Sequence, residues 1–343
     1  MPLSTSNSNK TGHNAGNKTW RITWLLVLII CTGVLLSYEL FLKQKGFVAS
    51  IESNHNLWSW YRSKVNNTNS LVIIGASRSQ LDINIPYLKQ KLKYYDVTQL
   101  SVNGHYPMAT FKALAEDDDF KGTVIVSLNA QALEQTYFDM QLPQNQYFSD
   151  KSSYYKSFDA YLTAILESKL RLLHPLLGLQ QVIDFYDKHQ RFESVFYTAE
   201  NLDQSVSANY SLANTDNLYN HFVNEKEKNY INVSPSTLSE LNKNIEKLVQ
   251  YSKAIENRGG SAVLIRFPTF KGHWQLDEKY YPRSQYWDKI AQQPNLKTIH
   301  FNDVKGLEQF QSPDSSHLDQ KDTVLFTKIL FDKLIEKQYL KNY

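Results

Sequence analysis

The chain has 343 residues, enough for one large domain or two smaller ones, and its net charge is only +3. With so even a balance and neither a basic stripe nor zinc-finger spacing, the sequence indicates no nucleic-acid partner. The single cysteine, Cys31, lies inside the apolar N-terminal run, so the rest of the chain has no thiol. This excludes an intramolecular disulfide, a cysteine–zinc site and a cysteine nucleophile. Cysteine-free sequence outside the apolar N-terminal run suits an oxidising compartment such as a periplasm.

The first predicted element is a membrane anchor over residues 20–42. It follows a polar tail, residues 1–19, whose composition cannot bury a core. No charged residue occurs from Ile22 to Tyr38, and this run is near the lower limit of roughly 17–25 residues for a bilayer-spanning helix. Aromatic residues flank the run like an interfacial belt: Trp20, Trp24, Tyr38 and Phe41.

Two cleaved alternatives compete with a retained anchor. A signal peptide would need small residues after the apolar run, and Val34–Tyr38 is a poor cleavage site. A lipoprotein signal would need a small residue before Cys31, where Ile30 stands instead. Both comparisons favour the anchor.

Charge around the apolar run predicts the orientation. The basic residues before it are Lys10, Lys18 and Arg21, and the excess after it is smaller. Basic residues favour the cytoplasmic side. We therefore expect a single-pass protein of the bacterial inner (cytoplasmic) membrane, with its C-terminal domain periplasmic or extracellular.

Residues 43–69 are predicted to be a helical connector, and three apolar runs follow. The runs are Ser70–Gly75, Thr123–Leu128 and Ser261–Phe267. Continuous apolar strands of this kind are typical of a parallel sheet that is covered on both faces.

Helices separate the predicted strands. One is predicted to start at Ser234–Pro235, with serine as N-cap and proline at the first helical position, and to end at Gly259–Gly260. The last is predicted over Gln320–Lys337. This alternation predicts a three-layer α/β/α sandwich with a mostly parallel sheet, formed by residues 70–134 and 234–343.

Residues 135–233 interrupt that rhythm and are predicted to be a mainly helical insertion or cap. Helices are expected at Phe158–Leu173 and Leu177–His189. Its many aromatic residues are typical of a local core. Contact with a membrane surface or a partner protein is the alternative.

A candidate nucleophile, Ser77, lies in Gly75-Ala76-Ser77, directly after the first predicted strand. Sites in open α/β sheets form where strands reach their carboxyl edge. A serine on a tight turn there can present its hydroxyl, and nearby backbone amides can hold an oxyanion. A serine that only caps a helix has the same local sequence.

A candidate base lies about 240 positions later, in Asp314-Ser315-Ser316-His317 before the last predicted helix. An aspartate can orient an imidazole, which takes the proton of a serine hydroxyl and returns it to a leaving group. The alternative is a helix-capping aspartate beside a solvated histidine.

Taken in order, these motifs resemble the SGNH (GDSL-like) hydrolase family. Its pattern has a serine after the first strand, a glycine after the second, an asparagine after the third and D-x-x-H near the C-terminus. The matching residues are Ser77, Gly104, Asn129, Asp314 and His317. The stretch Leu81–Leu88 and the strand end Arg266-Phe267-Pro268 are similar to the membrane-anchored, envelope-associated branch. The resemblance covers residues 68–134 and 236–338.

The resemblance implies roles for these residues. Ser77 would be the nucleophile, His317 the base and Asp314 its orienting group. The oxyanion hole would consist of the Ser77 amide, Gly104 and the Asn129 side chain, with Asn103 as the alternative donor.

The chain departs from the family pattern at two places. Ala76 replaces the usual aspartate before the serine, and Asn129 lacks the flanking glycine and aspartate of the family. Arg266, at a strand end on the same edge, is a candidate for binding an anionic substrate group, and a surface ion pair is the alternative. His105 is adjacent to Gly104 and could lie near the site.

The implied function is that of an extracytoplasmic serine esterase or O-acyltransferase acting on acyl esters of a cell-envelope polysaccharide through an acyl-Ser77 intermediate. Similar envelope-associated members include the D-alanyl transfer protein of teichoic-acid modification and the alginate O-acetylation proteins. They imply as partners an acylated polysaccharide or acyl donor, and a multispanning membrane-bound O-acyltransferase. The alternative is a non-catalytic envelope assembly or scaffold protein on a degenerate SGNH fold. We expect no cofactor, and no histidine spacing or acidic loop predicts a metal.

Overall fold

The structure is a computed structural model, and it describes residues 12–190, 195–233 and 237–341. The described chain divides into two units. The first contains the described residues of Met1–Ala49 and Leu170–Val195, and the second contains those of Ser50–Lys169 and Phe196–Tyr343.

The strands are β1 (Ser70–Ile74), β2 (Asp96–Gln99), β3 (Thr123–Ser127), β4 (Thr198–Glu200), β5 (Val206–Ala208), β6 (Ser261–Arg266) and β7 (Lys297–His300). The helices before β3 are α1 (Gly12–Gln44), α2 (His55–Arg62), α3 (Ser77–Leu81), α4 (Ile85–Lys91) and α5 (Met108–Glu116). Those that follow are α6 (Gln135–Phe138), α7 (Leu142–Asp150), α8 (Tyr154–Glu167), α9 (Leu179–His189), α10 (Thr215–Asn232), α11 (Leu238–Asn257), α12 (Lys271–Tyr280), α13 (Trp287–Ala291) and α14 (Thr323–Glu336).

The second unit is built on a five-stranded parallel sheet with the order β2-β1-β3-β6-β7. Alternate residues of β1 point to opposite faces: Val72 and Ile74 pack with α5 and α11, while Leu71 and Ile73 pack with α4 and α14. Because both faces are covered, the middle residues of the central strands β1, β3 and β6 are apolar. The predicted α/β fold with helices on both faces of a parallel sheet is confirmed.

The strand order fixes where a site can form. The chain leaves β1 toward β2 on one side and later enters β3 on the other, so the connections after β1 and β3 diverge. Divergent connections open a crevice at the carboxyl ends of the strands. Ser77 follows β1 and Asn129 follows β3, and both therefore lie at this crevice.

The first unit contains α1, whose Lys18–Gln44 segment is long and apolar enough to cross a membrane. A cleaved signal sequence would meet the same test. Most side chains of this segment are exposed, as expected of a helix that does not contribute to a water-soluble core. The polar residues 1–11 lie outside the described residues.

The structure adds local detail to the sequence predictions in three places. Of the predicted helical connector, 43–69, α1 covers the start and only His55–Arg62 forms a further helix. Residues 135–233 contain α6 to α10 but also the antiparallel pair β4–β5. The predicted cap Ser234–Pro235 lies outside the described residues, and the N-cap of α11 is Thr237, which forms a capping box with Glu240.

Candidate active site

A tight turn between β1 and α3 presents Ser77. A side chain at Gly75 would approach Ser79 Oγ to 2.2 Å and Ser127 Cβ to 2.6 Å, so only glycine lets the turn pass the end of β3. Ala76 is extended and Ser77 is the first residue of α3. The turn therefore places the hydroxyl at the carboxyl edge of the sheet.

The structure brings Ser77, His317 and Asp314 together. Ser77 Oγ donates to His317 Nε2 at 2.8 Å, and His317 Nδ1 donates to Asp314 Oδ2, also at 2.8 Å. Asp314 and His317 are buried. This is the geometry of a serine–histidine–aspartate triad, in which Nε2 can take the hydroxyl proton.

Asp314 is held by the loop it belongs to. Its Oδ1 accepts hydrogen bonds from Ser312 Oγ (2.9 Å) and from the backbone N–H groups of Ser316 (2.8 Å) and His317 (2.7 Å). Burial raises the pKa of the Asp314 carboxyl, but hydrogen bonds from His317 and Tyr210 outweigh it, so the pKa is lowered. The carboxylate stays ionised and keeps the imidazole proton on Nδ1.

The turn that carries this loop adopts a strained backbone. Ser315 has φ +70°, in the left-handed region that a side chain disfavours. Its carbonyl oxygen accepts from the Phe270 N–H at 3.0 Å, which anchors the turn to the segment after β6. The strain lets Asp314 accept from the N–H groups of Ser316 and His317.

Tyr210 is a functional candidate that the sequence did not indicate. Its hydroxyl donates to Asp314 Oδ2 at 2.5 Å. It follows β5 within residues 135–233, so the predicted insertion contributes directly to the triad. No motif marked this tyrosine among the chain's 22.

We expect Tyr210→Phe to lower kcat by about tenfold with little change in KM, because a hydrogen bond to a charged group is worth about 1.5–3 kcal/mol. Without the Tyr210 hydroxyl, Asp314 Oδ2 accepts a hydrogen bond only from the His317 imidazole. Ester-hydrolysis kinetics measure the effect. Tyr197→Phe is the control, because its ring packs 5.5 Å from that of Tyr210. Equal rates in both variants would contradict the role of the Tyr210 hydroxyl.

The candidate oxyanion residues line the same cavity as Ser77. Gly104 has φ +71°, which glycine adopts without strain. Asn129 Oδ1 accepts from the Ala132 N–H at 3.0 Å, which fixes the amide, and Nδ2 lies 3.5 Å from Tyr106 Oη.

The two neighbours of Gly104 do not join this arrangement. Neither Asn103 nor His105 is among the described residues that line the cavity. The carbonyl oxygen of Asn103 lies 2.8 Å from His105 Nδ1, and the His105 side chain is exposed.

Arg266 lines the cavity, but its guanidinium already has protein partners. It donates to Asp277 Oδ2 at 2.6 Å and to Thr269 Oγ1 at 3.2 Å. An ion pair was the alternative to substrate binding for Arg266. The structure contains this ion pair, with Asp277, but the pair is buried and does not lie on the surface.

The cavity has a volume of about 280 Å³, and helix α10 forms one wall. Phe222 of α10 packs edge-on against the His317 imidazole, with ring centroids 5.3 Å apart. Lys226, one turn further on, is buried and donates to Gln131 Oε1 at 2.7 Å. Within the described residues, no cluster of three potential ligands could hold a metal ion.

Burial lowers the pKa of Lys226 to about 7, reinforced by Arg78 and Arg266 and opposed by Asp277. In the unfolded chain the pKa of a lysine is about 10.4. Between about pH 7 and 10.4 the unfolded state therefore binds a proton that the folded state lacks. This contribution makes stability rise with pH.

We therefore expect the free energy of unfolding of the wild type to increase relative to Lys226→Met from pH 7 to 9, by up to about 1.4 kcal/mol per pH unit. Thermal unfolding across this range measures the difference. Lys228→Met, in which the exposed lysine of the same helix is replaced, should track the wild type. Parallel stability profiles for wild type and Lys226→Met would contradict the lowered pKa.

No protein-family profile and no curated protein matches the chain. Among solved structures the chain is similar to TesA, with 11% identity and a TM-score of 0.34 over 77% of this chain and 97% of TesA. It is also similar to the psychrotrophic esterase EstA from Pseudoalteromonas sp., solved with monoethylphosphonate as inhibitor. That pair has 12% identity and a TM-score of 0.36 over 79% of this chain and 100% of EstA. Neither similarity assigns the chain to a family.

Proposed function

We propose that the protein is an SGNH-type serine esterase or O-acyltransferase in which Ser77 is acylated and then deacylated. One observation carries the proposal: the continuous hydrogen-bond chain from Ser77 Oγ through His317 to Asp314, with both links at 2.8 Å. A capping serine or a solvated histidine would not need this chain. The triad chemistry requires it.

The reaction follows from the placement of these groups. As Ser77 Oγ attacks the ester carbonyl carbon, His317 Nε2 accepts its proton, and the ionised Asp314 stabilises the imidazolium. The Asn129 amide and the Gly104 turn line the cavity and are proposed to donate to the oxyanion. The imidazolium then returns the proton to the leaving alcohol. Water as second acceptor completes hydrolysis, and a sugar hydroxyl completes transfer.

We further propose that the acyl esters belong to a cell-envelope polysaccharide. The support is α1, which is long and apolar enough to anchor the chain at a membrane. The proposal places the catalytic domain outside the cytoplasm. A membrane-bound O-acyltransferase would be the partner that supplies or receives the acyl group.

A fluorophosphonate probe tests the catalytic proposal. We expect stoichiometric labelling of Ser77 in the full-length protein in non-ionic detergent, located by peptide mass spectrometry. Labelling of another residue, or no labelling at all, would contradict the enzymatic assignment. Mass spectrometry of the envelope glycan from cells with and without the intact protein then tests the polysaccharide substrate, which an unchanged acyl content would exclude.

A further inference from the structure

The cavity beside Ser77 contains more cationic than anionic groups. Arg78, Lys226 and Arg266 all line it. Among the described residues, the carboxylate that pairs with Lys226 and Arg266 is Asp277, which is not itself part of the lining. The balance depends on how far Asp277 neutralises the three cations.

The closest cationic partner of Asp277 is Arg266. Its Oδ2 accepts from Arg266 at 2.6 Å and from Thr269 Oγ1 at 2.8 Å, and its Oδ1 accepts from the Tyr230 hydroxyl. These bonds use both carboxylate oxygens. Arg266 and Asp277 thus form a closed, buried pair whose net charge is zero.

Lys226 is only weakly compensated. Its Nζ lies 3.7 Å from Asp277 Oδ1, and its short bond, 2.7 Å, is to the neutral Gln131 amide. Only 7% of the residue is exposed, so water does little to solvate the ammonium group. A buried ammonium group is energetically costly when its nearest carboxylate, here Asp277, is shared with a closer cation.

Arg78 has neutral partners. Its Nη2 donates to His273 Nε2 and to Ser316 Oγ, both at 3.0 Å, and its Nε is buried with no hydrogen-bond partner. Burial and the charge of Arg78 lower the pKa of His273 well below its usual value, so this imidazole is neutral. Among the described residues, no carboxylate pairs with Arg78 within 4.0 Å.

The other titratable groups do not cancel this excess. Glu225 is exposed at the rim and pairs with Lys228 at 2.8 Å, and His221 also lies at the rim. Asp314 is paired with His317 within the triad. Burial raises the pKa of Asp82, a neighbour of this pair, to about 7. Below about pH 7, where Lys226 is protonated, the cavity therefore has two cations, Arg78 and Lys226, in excess.

We propose that Arg78 and Lys226 form a subsite for an anionic group, a carboxylate or a phosphate, carried by the ester that Ser77 attacks. The inference rests on the proposed function for the identity of the ligand as a substrate, but not for the binding itself. An anion at this place would give Lys226 a counter-ion that it does not share with Arg266, and would give the Arg78 guanidinium a charged acceptor. Ser316, which holds Arg78, is adjacent to His317, so the anion would lie beside the reacting ester.

The test uses inorganic phosphate and acetate as probes on the full-length Ser77→Ala protein, in which no chemistry can occur. At pH 6, where Lys226 is protonated, we expect phosphate or acetate to raise Tm by about 2 °C or more over sodium chloride at equal ionic strength. A larger shift with phosphate indicates a substrate that carries a phosphate group, and a larger shift with acetate indicates one that carries a carboxylate.

Matched variants separate the subsite from general salt effects, since phosphate also stabilises proteins by exclusion from their surface. Lys226→Met and Arg78→Gln, each combined with Ser77→Ala, should lose the anion-specific shift. Lys228→Met should keep it. Because two substitutions at different elements are compared, misfolding of one leaves the other informative.

The outcomes distinguish this subsite from the proposed function. An equal shift with chloride, or one that survives in both Lys226→Met and Arg78→Gln, overturns the subsite whatever the activity. An anion-specific shift without labelling of the wild-type Ser77 supports the subsite and contradicts the esterase assignment.

Discussion

Ser77→Ala is expected to lower ester hydrolysis or acyl transfer by about a thousandfold or more, the scale on which loss of a triad nucleophile acts. The Ser77 hydroxyl is the group that would form the acyl bond, and alanine leaves His317 with no proton to accept. Fold and stability should change little, because the half-buried side chain contributes mainly one hydrogen bond. Turnover of 4-nitrophenyl acetate and fluorophosphonate labelling measure the effect.

A second serine variant serves as the control for Ser77→Ala. Ser149 is exposed in α7 and hydrogen-bonds to Asp150 and Gln146 outside the cavity, so Ser149→Ala should keep full labelling and turnover. If Ser77→Ala retained even a tenth of wild-type turnover while Ser149→Ala behaved as the wild type, Ser77 would not be the nucleophile. The site would then have to work by another group.

Asp314→Asn should lower turnover by about 10⁴-fold, the scale reported by triads whose aspartate becomes an amide. An asparagine amide would point its NH₂ toward either the backbone N–H groups at Oδ1 or the donors Tyr210 and His317 at Oδ2. In the second case His317 keeps its proton on Nε2 and cannot accept one from Ser77. The expected loss therefore arises from the wrong tautomer.

Stability against pH gives Asp314→Asn an independent readout. The folded carboxyl has a lowered pKa, so its stabilisation is fully present above the unfolded value of about 3.9 and is lost as the pH falls toward the folded value. The stability difference between wild type and Asp314→Asn should therefore shrink below about pH 4. A difference that is constant with pH would contradict an ionised, hydrogen-bonded Asp314.

The central strands could be predicted from the sequence because burial on both faces requires a run of apolar residues in β1, β3 and β6. The edge strands have no such run. β2 reads Asp96-Val97-Thr98-Gln99 and β7 reads Lys297-Thr298-Ile299-His300, and each pairs with a single neighbour. An edge strand is partly solvated, so its polar residues obscure the periodicity.

The triad residues could be predicted because each lies directly beside a sequence signal: a glycine turn after an apolar run, or D-x-x-H before a helix. Tyr210 and Lys226 lack such a signal. Lys226 stands in Glu225-Lys226-Glu227-Lys228, which reads as a solvated helix face. Only the packing of α10 over the cavity, a tertiary contact far from the sheet in sequence, buries this lysine.

The nucleophile and its base are 240 positions apart in the chain. A ribosome-bound or unfolded chain therefore carries Ser77 as an ordinary alcohol, because a serine without a positioned base is a weak nucleophile. Reactivity appears only when the segment with His317 has been synthesised and has docked beside β1. The unfolded chain is therefore expected to be inert toward esters, and folding is the step that would activate Ser77.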